Sequence, residues 1–118
     1  MKAFFNRVKF ACNGWLQFFA KETNGQIQLF VAILVCIAGW FLQISQTEWM
    51  IVLGCIALVL SLEMVNSAIE KLCDHLHPEF HKQIGIVKDI AAGAVLWASF
   101  ISVITGLIIF LPKVIGLF

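Results

Sequence analysis

Residues 49–74 read WMIVLGCIALVLSLEMVNSAIEKLCD. Positions 49–62 carry no charge, and the chain then brings Glu63, Asn66, Ser67, Glu70 and Asp74 in close succession. At a helical period these five side chains share one face. A single helix, crossing a membrane with its apolar half and emerging with its polar half, accounts for both parts, and its span is expected over about 48–73.

The rest of the chain agrees with a bilayer as solvent. Of 118 residues, 61% are hydrophobic, against roughly 45–50% in soluble domains, and the mean hydropathy is +0.95. The expected fold is an all-α membrane protein forming one domain, residues 1–118, with an N-terminal surface helix and three spans. Positions 2–21 place Phe4, Phe5, Val8, Trp15 and Phe19 opposite Asn6, Lys9, Asn13 and Gln17, a pattern suited to a helix lying in the membrane interface. A second segment, 27–44, is nearly all apolar and just long enough to cross the hydrocarbon. The last span is expected over about 87–111, with Gly93, Ala94, Ala98 and Ser102 as a small-residue packing face. Asn24-Gly25 is expected to break the chain, Thr47 to cap the middle helix, Pro78 to end it, Gly85 to give a turn, and Pro112 to stop the last helix.

Other classes recede. The net charge of +1 offers no field for nucleic acid. Cys12, Cys36, Cys55 and Cys73 are too dispersed for a disulfide framework and read as small hydrophobes. Arg7, Lys9 and Asn13 interrupt the N-terminal apolar residues, so no cleavable signal peptide is expected. Trp40 and Trp49 bracket the turn at 45–48 as an aromatic belt would. Seven of the eight cations (Lys2, Arg7, Lys9, Lys21, Lys71, Lys82 and Lys88) fall on one side of the spans, leaving Lys113 on the other. The positive-inside rule makes the first side cytoplasmic, with the N-terminus inside and the C-terminus outside.

On this arrangement Glu63 lies deepest, at the inner headgroup level, and Glu70 two turns further toward the cytoplasm, roughly 10 Å along the axis. Glu22 and the Lys88-Asp89 pair reach the same interface. One or two carboxylates suffice for Mg²⁺ when substrate phosphates complete its shell, a lysine neutralises phosphate oxygens, and a carboxylate at headgroup depth can deprotonate a lipid hydroxyl. Phosphoryl transfer needs little else. The stripe equally fits the solvated face of a protruding helix or an ion-pair seam. A small transporter or channel subunit and a non-catalytic scaffold also stay open on these residues, and no Walker loop or protein-kinase motif is present. His75, His77, His81 and Glu79 invite a zinc reading, which ranks below a solvated loop.

The strings EMVNSAIEKLCD at Glu63–Asp74 and PEFHKQIGIVKD at Pro78–Asp89, followed by IAAGAVL, closely resemble the bacterial diacylglycerol kinase family, which includes the undecaprenol kinases. The resemblance covers nearly the whole chain and takes in KETN at Lys21–Asn24, which looks more like the undecaprenol kinase branch. It implies a homotrimer in the bacterial inner membrane, active sites shared between neighbouring subunits, and transfer of the γ-phosphate of ATP to undecaprenol or diacylglycerol. By position in the motifs it implies Glu63 as catalytic base at the lipid hydroxyl, supported by Asn66. Glu22 and Glu70 are implied as ligands of the Mg²⁺ carried with ATP. Lys88 and Asp89, with Glu79, His81 and Arg7, are implied at the nucleotide.

Overall fold

The computed structural model describes residues 1–79 and 81–118. Among these, every regular element is an α-helix: α1 (Lys2–Lys21), α2 (Thr23–Phe41), α3 (Gln46–Leu76) and α4 (Lys82–Ile115). By length and composition α2, α3 and α4 can each cross a membrane. At about 1.5 Å per residue, α3 and α4 are some 45–50 Å long against roughly 30 Å of hydrocarbon. Both therefore project beyond it, and the polar half of α3 belongs to that projection.

Helix α1 buries only Phe18. It ends because Glu22 takes an extended conformation, φ −91° and ψ 127°, while its N–H still bonds to the Phe18 carbonyl. The break thus falls at Glu22, whereas Asn24 and Gly25 lie in the first turn of α2. Gly25 serves contact between helices instead of a bend: a Cβ there would stand 2.4 Å from the Phe18 carbonyl oxygen.

At the opposite end, α2 closes through Leu42 and Gln43, and α3 opens on a capping box. The Glu48 N–H donates to Ser45 Oγ (3.1 Å) and the Ser45 N–H to Glu48 Oε1 (2.9 Å). The cap is Ser45 and not Thr47, because only the Ser-x-x-Glu spacing satisfies both orphan donors reciprocally. Here Ile44, Val52 and Ile109 form the apolar core, with Val35, Trp49, Ile56 and Phe110 packed around them. Lys113 Nζ lies 3.2 Å from Glu48 Oε1 and fastens the end of α4 to the start of α3.

Two further expectations are corrected. Pro112 sits inside α4, which runs on to Ile115. Proline removes one backbone donor, but the next turn recovers with the Gly116 N–H on the Pro112 carbonyl. Gly85 likewise lies within α4, which starts five residues earlier than the expected span. Of the small-residue face, Ala98 is buried and Ser102 half-buried, while Gly93 and Ala94 are exposed. The face turned to α3 follows Lys88, Ala91, Val95, Ala98, Ser102, Thr105 and Ile109, a helical period that leaves Gly93 and Ala94 outside it.

The surface is apolar to a degree water would not tolerate, with Phe30, Trp40, Ile90, Leu96, Trp97 and Ile108 all more than 60% exposed. We expect Gly25→Ala to lower thermal stability in detergent by about 1–3 kcal/mol through overpacking. Gly14→Ala, where an added Cβ meets nothing within 4 Å, should be neutral or slightly stabilising. Equal effects of the two substitutions on the unfolding temperature would contradict the close α1–α2 approach.

Candidate active site

Where α3 leaves its apolar half, the core turns polar. Glu63, Asn66 and Ser67 are all buried, at 7%, 6% and 9% exposure. Polar groups withdrawn from water cost several kcal/mol unless hydrogen-bonded, so their partners define the site. Gln28 Nε2 of α2 donates to Glu63 Oε1 across 3.2 Å. Asn66 Nδ2 donates to Glu70 Oε1 one turn along at 3.3 Å. Asn66 Oδ1 is buried with no hydrogen-bond partner among the described residues, so one acceptor is left over at this end of α3.

Glu22 joins this cluster through the chain break. As N-cap of α2 its side chain makes no capping bond, and its carboxylate pairs instead with the Lys71 ammonium, next to Glu70 on α3. Lys88 Nζ of α4 lies 2.7 Å from Asp74 Oδ1 of α3. Carboxylates from the α1–α2 corner and from α3, and a lysine from α4, are therefore gathered at one end of the bundle. In each ion pair one member, Lys71 or Asp74, is mostly exposed.

The remaining residues singled out from sequence are placed more loosely. Asp89 follows Lys88 on α4 and is exposed, as is Arg7 on α1. Glu79 lies in the α3–α4 loop, its carbonyl 3.1 Å from His77 Nδ1. His81 caps α4, its Nδ1 accepting from the Gln83 N–H at 3.2 Å, and its ring faces that of His77 with centroids 4.7 Å apart. Phe80, the centre of the E-F-H motif, lies outside the described residues. No three histidine, cysteine, aspartate or glutamate side chains gather around a common point among the described residues. The zinc reading of His75, His77, His81 and Glu79 finds no support there.

Two participants were not singled out from sequence. Lys71 hides among ordinary surface cations, and only the Glu22 ion pair gives it a place. Gln28 had a signal, being the one side-chain amide between Ile27 and Leu42 in an otherwise apolar stretch. It also lines a groove of about 410 Å³ between α2, α3 and α4. The groove's other walls include Val35, Val52, Val59, Ser102 and Phe110. Along α4 it runs from Ser99 to Phe110, roughly 16 Å at 1.5 Å per residue. An apolar channel of hydrocarbon-chain length thus begins beside the buried carboxylate.

Comparison with known proteins gives this geometry a context. The family model described as prokaryotic diacylglycerol kinase matches residues 9–110, which include every candidate site residue except Arg7. The undecaprenol kinase of Bacillus subtilis (strain 168) is 38% identical over 113 residues, covering 96% of this chain and 92% of the relative. The diacylglycerol kinases of Haemophilus influenzae and Escherichia coli (strain K12) are 29% and 30% identical, covering 79% and 77% of this chain and 79% and 71% of the relatives.

With the Lys71 side chain mostly in the open, its ion pair with Glu22 is worth about 0–1 kcal/mol. Lys71→Met should therefore leave the unfolding temperature in detergent nearly unchanged. A large drop would mean that the pair with Glu22 is a structural clamp and not an exchangeable contact.

Proposed function

Because this chain belongs to the prokaryotic diacylglycerol kinase family, and so is a lipid kinase and a multi-pass bacterial membrane protein, we propose that it transfers the γ-phosphoryl group of ATP to the hydroxyl of undecaprenol in preference to diacylglycerol. The observation that carries the reading is the buried Glu63 carboxylate, one oxygen of which is bound by Gln28 of the apolar groove's wall. The preference for undecaprenol is supported by greater identity to the undecaprenol kinase, 38% over nearly the whole chain, than to the diacylglycerol kinases.

In this reading the acceptor's chain lies along the groove and its hydroxyl meets the second oxygen of Glu63. Glu63 takes the hydroxyl proton as the lipid oxygen bonds to the γ-phosphorus, and the bond from that phosphorus to the β–γ bridging oxygen breaks. Lipid phosphate and ADP leave, and Glu63 returns its proton to water. Burial favours this role, since a carboxylate shielded from water keeps its electrostatic interactions strong.

Glu70 and the unpartnered Asn66 Oδ1, with Glu22 at the same end of the bundle, are hard oxygen ligands of the kind Mg²⁺ takes, with nucleotide phosphates completing the shell. Bound there, the ion would neutralise phosphate charge. Glu22 would release Lys71 and Lys88 would exchange Asp74 for a phosphate oxygen, each pair having one exposed member. Asp89, Glu79, His81 and Arg7 complete the nucleotide contacts in this proposal.

The same reading places α1 in the interface on the cytoplasmic side and the C-terminus outside, following the cation count. It also takes the chain as a homotrimer with sites shared between neighbours. Gly54, Ala57, Ser61 and Ala68 form an exposed small-residue stripe on α3, flanked by Leu58 and Val65, as close helix packing in lipid requires.

The test is to supply the purified protein with Mg²⁺, ATP labelled on the γ-phosphate, and undecaprenol and diacylglycerol together. Label is expected mainly in extracted undecaprenyl phosphate. Label in phosphatidic acid alone would overturn the acceptor assignment, and label in neither lipid would overturn both proposed acceptors.

A further inference from the structure

Gln28 belongs at once to the groove and to Glu63. On α2 it precedes Val31, Ala32 and Val35 along the groove wall at helical spacing, and its amide reaches the carboxylate on α3. A glutamine in a lipid-spanning helix is unfavourable beside a leucine of similar size, which would pack the same wall without a polar group to satisfy. Its presence there needs a reason in chemistry.

We propose that Gln28 is a positioning residue for phosphoryl transfer, its amide holding Oε1 of Glu63 so that Oε2 is the oxygen offered at the mouth of the groove. The inference rests on the reading of Glu63 as proton acceptor. The terminal torsion of a glutamate is broad, with no strong rotamer of its own. A single donor on one oxygen fixes the plane of the carboxylate and the direction of the other oxygen. The choice of an amide is chemically specific. A lysine or arginine at this place would also bind Oε1, but would set a fixed positive charge against the proton that Glu63 has to accept. A neutral amide orients the group without adding a charge. A leucine would leave the buried carboxylate without its α2 partner and free to turn toward Asn66 and Glu70.

The experiment measures steady-state kinetics of the purified full-length protein with undecaprenol and Mg-ATP, varying each substrate separately. Wild type, Glu63→Gln, Gln28→Leu and Gln28→Glu are compared. Gln28→Leu should lower kcat on the order of ten- to a hundred-fold, the equivalent of one hydrogen bond to a charged group, while KM for ATP stays unchanged. Gln28→Glu keeps the length and polarity of the side chain but sets a second carboxylate beside Glu63. At neutral pH it should lose at least as much in kcat. That variant carries the test if Gln28→Leu fails to assemble. A wild-type kcat in either variant would overturn the proposal. So would a loss appearing only as a raised KM, which would make Gln28 a binding contact and not a positioning one. An inactive wild type, or an active Glu63→Gln, would instead bring down the underlying reading of the site and the proposal with it.

Discussion

A carboxylate buried at the end of an apolar helix sets the terms for the rest of the molecule. Glu63 is 7% exposed and follows fourteen uncharged residues. A polar group in that position is tolerated only with hydrogen-bonding partners, and the polar features of this end of the bundle answer that demand. Gln28 reaches across from α2, and the polar face of α3 continues through Asn66 to Glu70. Breaking the chain at Glu22 brings a further carboxylate to α3 through Lys71. The opposite end needs none of this: Ile44, Val52 and Ile109 pack as a small apolar core closed by a capping box and one ion pair.

The two ends therefore differ in what holds them. At the far end apolar burial and the Ser45–Glu48 cap fix the helices. At the Glu63 end the close Phe18–Gly25 packing of α1 on α2 is joined by single hydrogen bonds and ion pairs, and one buried acceptor, Asn66 Oδ1, is left without a partner among the described residues. The length of α3 and α4 beyond the hydrocarbon is what allows such a region to exist beside the membrane without disturbing the spans.

How much of this was legible in the sequence depended on whether the signal was local. The four helices and the polar stripe on α3 follow from hydrophobic period alone, because a 3.6-residue repeat says which side chains share a face. Where helices begin and end is less legible, because it depends on contacts between elements. Asn24-Gly25 looked like a break, yet Gly25 is there for the contact with the Phe18 carbonyl, which only the α1–α2 packing reveals. Thr47 looked like a cap, yet the reciprocal bonds with Glu48 select Ser45. Pro112 looked like a stop, yet the helix loses one donor and continues. Glu63, Asn66 and Glu70 stood out because polarity at a helical period inside an apolar chain is conspicuous. Gln28 and Lys71 did not, since each has meaning only through a residue 35 or 49 positions away.

The central claim is that Glu63 accepts the proton of a lipid hydroxyl. Its most direct test is phosphate transfer by Glu63→Gln under saturating Mg-ATP and undecaprenol, with nucleotide binding and assembly state measured on the same preparation. The substitution keeps shape and hydrogen-bonding capacity but removes the base. The account predicts a protein that assembles and binds ATP as the wild type does while lipid phosphorylation is lost. Substantial transfer by that protein would contradict it.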